Sequence, residues 1–139
     1  MVRVSCYLAL CGVSVDFDEI SALVGFAPTS VHRAGSQRYP YVLPQSSWSY
    51  EVVEKDSIDT RDSPAVTMAL LKLREHFSGR EHLIREYCAA HDLSPIAVVI
   101  VESENFTCPS LSLSAEVVRF LAELGTSIDY DIYFDVELG

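Results

Sequence analysis

Two sets of side chains in this sequence have types and spacings that could do chemistry. The first lies in Pro28-Thr-Ser-Val-His-Arg-Ala-Gly35, where Thr29, His32 and Arg33 bring a hydroxyl, an imidazole and a guanidinium close together. Such a group could hold an anion or a carboxylate, with Trp48 and Tyr50 lining its pocket. A loop of this kind hints at function more than a core segment does. The same residues have a plainer reading: Gly35 makes a turn, Pro28 and Thr29 lead the chain out of a helix, and Arg33 pairs with an acidic neighbour. The second set is Asp129, Asp131, Tyr133 and Asp135, alternating with Ile128, Tyr130, Ile132 and Phe134. A period of two puts the carboxylates on the wet face of a strand. There they could take a basic partner, or simply discourage edge-to-edge pairing.

Other constellations are thinner. Cys88 and His91 stand three apart on a helix, with His82 and His76 upstream. A zinc site wants about four ligands, usually as two close pairs, and only one pair exists here. The expectation is therefore no metal and no cofactor. Cys11 or Cys108 with His32 would make a Cys–His nucleophile pair, but no protease signature accompanies them. Ser36, Ser46 and Ser47 lack the glycine-flanked elbow that exposes a hydrolase serine. No phosphate loop or dinucleotide fingerprint is present. No residue is assigned a catalytic role.

Composition narrows the partners. The chain has 139 residues, 10 Lys and Arg against 20 Asp and Glu, and a formal charge of −10. Phosphate binding needs clustered Lys and Arg, and no basic run occurs, so nucleic acid and anionic membrane are not expected. A basic protein partner fits the charge better. A hydrophobic share of 49% argues against disorder. The length suits one domain, 1–139, which buries roughly two-thirds of its unfolded surface without a disulfide staple. Val4 to Val15 is apolar but lacks the charged leader and small-residue cleavage site of a secretory signal. No apolar run reaches membrane-spanning length. The expected compartment is the cytoplasm, where the four cysteines are reduced thiols.

The elements that must position these residues can be read in turn. Residues 2–11 alternate as a strand. Asp16 with Glu19 is a capping-box arrangement that opens a helix with Phe17, Ile20, Leu23 and Val24 inward, and Gly25 stops it. Residues 26–47 form an irregular loop or short hairpin, with Val31 to Arg33 and Tyr39 to Leu43 as possible short strands around Ala34-Gly35. Residues 47–54 alternate as a strand. Residues 64–91 read as an inserted pair of helices. The run Ile96-Ala-Val-Val-Ile-Val101 is apolar on both faces, as a central strand is. Ser114 caps a helix with Val117, Phe120, Leu121 and Leu124 on one face, and Gly125 ends it. The strand that follows, 127–138, is expected to place Ile132 and Phe134 in the core beneath Val117 and Leu121. The fold class is α+β: a two-layer sandwich with a mostly antiparallel sheet of four to five strands and helices on one face. It resembles a split βαβ (ferredoxin-like) arrangement with a two-helix insertion.

Three segments carry a family resemblance. They are Asp18-Glu-Ile-Ser-Ala-Leu-Val-Gly-Phe-Ala-Pro-Thr29 with His32-Arg33 and Gly35, the Trp48-Ser49 strand, and Pro109-Ser-Leu-Ser followed by Leu124-Gly125 and Asp129-Tyr-Asp-Ile-Tyr-Phe134. In this order and spacing they resemble the domain-of-unknown-function family numbered 4279, over nearly the whole chain. The resemblance implies a bacterial protein and supplies no catalytic residues, because the family has no agreed activity. Segment 36–47 departs from the family pattern, lacking a basic, glycine-rich hairpin. The functional expectation is a non-catalytic cytoplasmic binding domain of immunity-protein type, presenting an acidic sheet face (Asp129, Asp131, Tyr133, Asp135) to a basic protein. The alternative is a small-ligand binder or enzyme using the loop around His32 and Arg33. The expected state is a monomer or weak homodimer, since the carboxylate row opposes edge pairing.

Overall fold

The strand β1 (Val2–Gly12) is the middle of the molecule. Val2, Val4, Cys6, Leu8 and Leu10 are fully buried on one of its faces. The computed structural model describes residues 1–38, 41, 42, 44–57 and 61–139. After β1 come α1 (Phe17–Val24), β2 (Ser30–His32), β3 (Gln37–Arg38), β4 (Tyr41–Val42) and β5 (Ser46–Asp56). Then follow α2 (Ala65–Phe77), α3 (Glu81–Ala90), β6 (Ser94–Ser103), α4 (Ala115–Leu124) and β7 (Ser127–Tyr133). Five strands form one sheet in the order β2-β5-β1-β6-β7. The pairs β2–β5, β5–β1 and β1–β6 are antiparallel, and β6–β7 is parallel.

Among the described residues the four helices pack on the same side. Ile20 and Val24 of α1, Leu70, Leu73 and Phe77 of α2, Ile84 of α3 and Phe120 and Leu124 of α4 share one core with the even-numbered residues of β1. Trp48 and Val52 of β5 and Ala97, Val99 and Val101 of β6 complete it. Local chemistry sets the helix ends. The Asp16 carboxylate accepts from the Glu19 N–H at 3.0 Å, and the Ser114 hydroxyl accepts from the Val117 N–H at 3.3 Å. Among the described residues no helix is long and apolar enough to cross a membrane.

The α+β, two-layer, mostly antiparallel arrangement is the one the sequence implies, and the ferredoxin-like likeness is loose. β6, α4 and β7 form a direct βαβ unit with adjacent strands, so no strand splits the pair. Two further expectations are corrected. β2 pairs with β5 rather than with the segment after the Ala34-Gly35 turn, and Gln37–Arg38 pairs with Tyr41–Val42 instead. Residues 39, 40 and 43 of that expected strand lie outside the described residues. The last strand also ends at Tyr133, five residues early. Its partner β6 stops at Ser103, so no parallel ladder exists beyond the Glu102–Tyr133 pair. Asp135 then takes a left-handed φ of 55°. Consequently Ile132 is 36% exposed and Phe134 40%; neither sits in the core, and Phe134 lies beside Phe106 with ring centroids 6.1 Å apart.

Candidate functional site

Among the described residues every helix lies on one side, and no helix covers the other face of the sheet. The residues that point there follow from the pairing register. One transverse row reads Ser49, Ala9, Ile96 and Ser127. The next reads Glu51, Tyr7, Val98 and Asp129, and the one after it Val53, Ser5, Ile100 and Asp131. Ala9, Val98 and Ser5 are buried even though no helix covers them, because larger neighbours stand around them. Ala9 and Val98 form the floor of a trough of about 490 Å³ lined also by Tyr7, Cys11, Ile96 and Ile100. Thr29, Ser30, His32, Ser47, Ser49 and Glu51 make one of its sides.

The electrostatics converge on Tyr7. Its phenol pKa is raised above the ordinary 10.0, first by burial, then by the charges of Asp131, Glu51 and Asp129 and by Cys11. Carboxylates therefore reach the middle of the trough from both flanks. Among the described residues the cations of this face are Arg3 and Lys55, opposite each other at its far end. Arg3 Nε lies 3.9 Å from Glu102 Oε1. A shallower hollow of about 670 Å³ at that end is also mainly acidic, with Glu102, Glu104, Asp135 and Glu137 around Arg3.

The structure separates the residues of the expected loop site. His32 is half-buried on the trough lip, where its Nε2 and Ser30 Oγ are 3.3 Å apart. Arg33 points elsewhere, with its guanidinium 4.9 Å above the Phe17 ring beside Asp16 and Asp18. The hydroxyl of Thr29 is committed to the backbone, donating to Ser49 O at 3.3 Å and accepting from the Glu51 N–H at 3.0 Å. Trp48 belongs on the opposite side of the sheet from His32. It is fully buried, donates its indole N–H to Ser21 Oγ at 3.1 Å and packs against Phe77 and Phe26. Tyr50 joins the same aromatic cluster. Thr29, His32, Arg33 and Trp48 thus do not line one pocket. The acidic row holds together better: Asp129 and Asp131 share the bare face with Tyr133, while Asp135 lies past the end of β7 and lines the hollow around Arg3.

The residues that sequence reasoning missed are the trough floor and Glu51. One signal pointed to them: β6 is apolar on both faces in a sheet argued to be covered on one face only.

Thiol chemistry finds little support in the geometry. Burial raises the Cys6 thiol from 9.0 to about 12 and the Cys88 thiol to about 11, and pushes Cys11 and Cys108 upward. A thiolate nucleophile needs the opposite shift. Ser47 stands between Cys11 and His32 in the register. Among the described residues no group of three His, Cys, Asp or Glu side chains is placed to hold a metal ion.

The sequence profile of the domain-of-unknown-function family DUF4279 matches residues 2–135. No curated protein and no solved structure matches the chain. With the match spanning nearly the full chain, and the three motif segments falling on α1 with its exit, on β5 and on the β6–α4–β7 unit, the protein belongs to the DUF4279 family.

Proposed function

We propose that the domain is a non-catalytic cytoplasmic binding module that holds a basic protein segment on its bare sheet face. The supporting observation is the position of Tyr7, on an apolar floor between Glu51 on one flank and Asp129 and Asp131 on the other. An apolar floor contributes affinity, and flanking carboxylates choose the sign of the partner and speed its arrival. The chain's charge of −10 acts in the same direction. Neutralising a basic toxin, as an immunity-type protein does, is one role this surface suits.

The reading is tested by affinity capture from the source cell. The captured protein is then rebound to a Glu51→Gln, Asp129→Asn, Asp131→Asn triple variant at about 0.01 M and about 1 M salt, where the screening length falls from about 30 Å to about 3 Å. Loss of binding in the variant, and in the wild type at high salt, is the expected result. A partner held equally by both proteins would sink the proposal.

A second reading rests on the contact between Ser30 and His32 at the trough lip. A small polar ligand would then sit against these two side chains. His32→Ala would abolish its binding while the carboxylate variant left it unchanged.

A further inference from the structure

The two margins of the sheet are finished differently. At one margin β2 pairs only with Ser47 to Ser49 of β5, and the Thr29 hydroxyl then takes the Glu51 N–H. At the other margin β7 offers seven residues, and among the described residues nothing pairs with its outer side. A strand of this length spans about 23 Å and presents a row of backbone donors and acceptors. Its side chains are sorted by face. Asp129 and Asp131 stand on the bare face, while Ile128, Tyr130 and Ile132 stand on the helix face. The helix layer covers that second set incompletely: Ile128 and Tyr130 are half-buried and Ile132 is exposed, as are Phe134 and Phe106, which pair just past the strand.

We propose that β7 is an acceptor edge for one β-strand of a different, basic protein, added as a sixth strand with Lys or Arg beside Asp129 and Asp131 and apolar residues beside Tyr130 and Ile132. The inference rests on the reading of the bare face as a surface for a basic partner and names how that partner attaches. Side chains directly across a strand pair interact, opposite charges favourably and like charges unfavourably. Two copies of this chain joined through β7 would set carboxylates against carboxylates. A strand with alternating cationic and apolar residues meets neither penalty, and its apolar side covers Ile132 and Phe134. Main-chain bonds supply the affinity and the alternation supplies the choice of partner.

The probes are seven-residue synthetic peptides, Lys-Val-Lys-Val-Lys-Val-Lys and its Glu-for-Lys counterpart. A third peptide repeats the lysine sequence but is N-methylated at every residue, which keeps its charge but removes the donors of both edges. Binding is followed by titration with amide NMR on the full chain. The lysine peptide is expected to bind at least tenfold more tightly than the other two, to slow hydrogen exchange of β7 amides, and to lose about tenfold or more in affinity on Asp129→Lys with Asp131→Lys. That double variant is expected to prefer the glutamate peptide, so a reversal of preference separates lost charge from lost fold. Equal binding of the N-methylated peptide, with shifts at Tyr7, Ala9 and Val98 rather than along β7, would overturn the edge proposal and leave the bare-face reading standing. Failure of the lysine peptide to bind at low salt would overturn both. Self-association of the chain through β7, seen as a dimer by light scattering, would overturn the edge proposal alone.

Discussion

Phe120 and Phe134 are the same side chain in opposite surroundings. Phe120 is buried on α4, and Phe134 is exposed past the end of β7. Phe120→Ala is expected to cost about 3–5 kcal/mol in a urea melt, the usual range for a large buried aromatic. Phe134→Ala should cost about 1 kcal/mol or less, as at most exposed positions. Alternation alone made Phe134 look buried, because a period of two says which residues share a face and not where the strand stops. Trp48 shows the converse difficulty. Ser47 and Ser49 alternate with Trp48 and Tyr50, and the large aromatic set is the natural core, which keeps Trp48 out of a pocket with His32. The buried thiols give a further expectation. Folding raises Cys6 from 9.0 to about 12, so the folded state holds that proton more tightly than the unfolded chain does. The sign follows: this contribution to stability is whole below about pH 9 and is lost as pH rises toward about 12. Urea midpoints measured across that range should fall steadily, and more gently in Cys6→Ala, whose midpoint at neutral pH is lower.

At the scale of elements, the helices were legible because their signals are local. α4 has its hydroxyl cap at Ser114 and its left-handed stop at Gly125, where φ is 72°. Ser114→Ala should cost about 1 kcal/mol through the orphaned N–H of Val117. Gly125→Ala should cost about 1–2 kcal/mol through backbone strain. An added Cβ there would lie 3.6 Å from the Arg85 side chain, which is ordinary contact, so crowding adds little. Standing at opposite ends of the helix, the two losses should add within about half a kcal/mol in the double variant. Gly12 is constrained by space instead: a Cβ there would come within 2.5 Å of Leu93 and 3.2 Å of the Asp92 carbonyl. Strand order was not legible, because it depends on which distant segments meet. Nothing near Ser30 says that β2 will seek β5, and nothing in 127–138 records that β6 ends at Ser103.

Over the whole molecule, charge and asymmetry act together. Among the described residues helices cover most of one face and leave the other open, and the acidic excess gives the open face a field that reaches beyond contact. Association of a basic partner should therefore slow by about tenfold or more between low and high salt in stopped-flow traces, with dissociation changing less. β1 lies at the centre of the sheet, with Val2 opposite both Asp56 and Ser103. Pairings that join such distant segments give slow folding, in milliseconds to seconds for single domains of high contact order. Synthesis runs from the N-terminus, so the innermost strand is made before both its neighbours, β5 and β6, and waits longest for the second of them. A nascent chain that has passed β5 but not α2 holds β1, β5 and β2 with α1, and its apolar face, Val4 to Leu10 with Trp48, still lacks the cover of α2, α3 and α4. In that interval its aggregation would depend on chaperones and translation rate, well before the acidic surface of the finished protein can keep it apart from its neighbours.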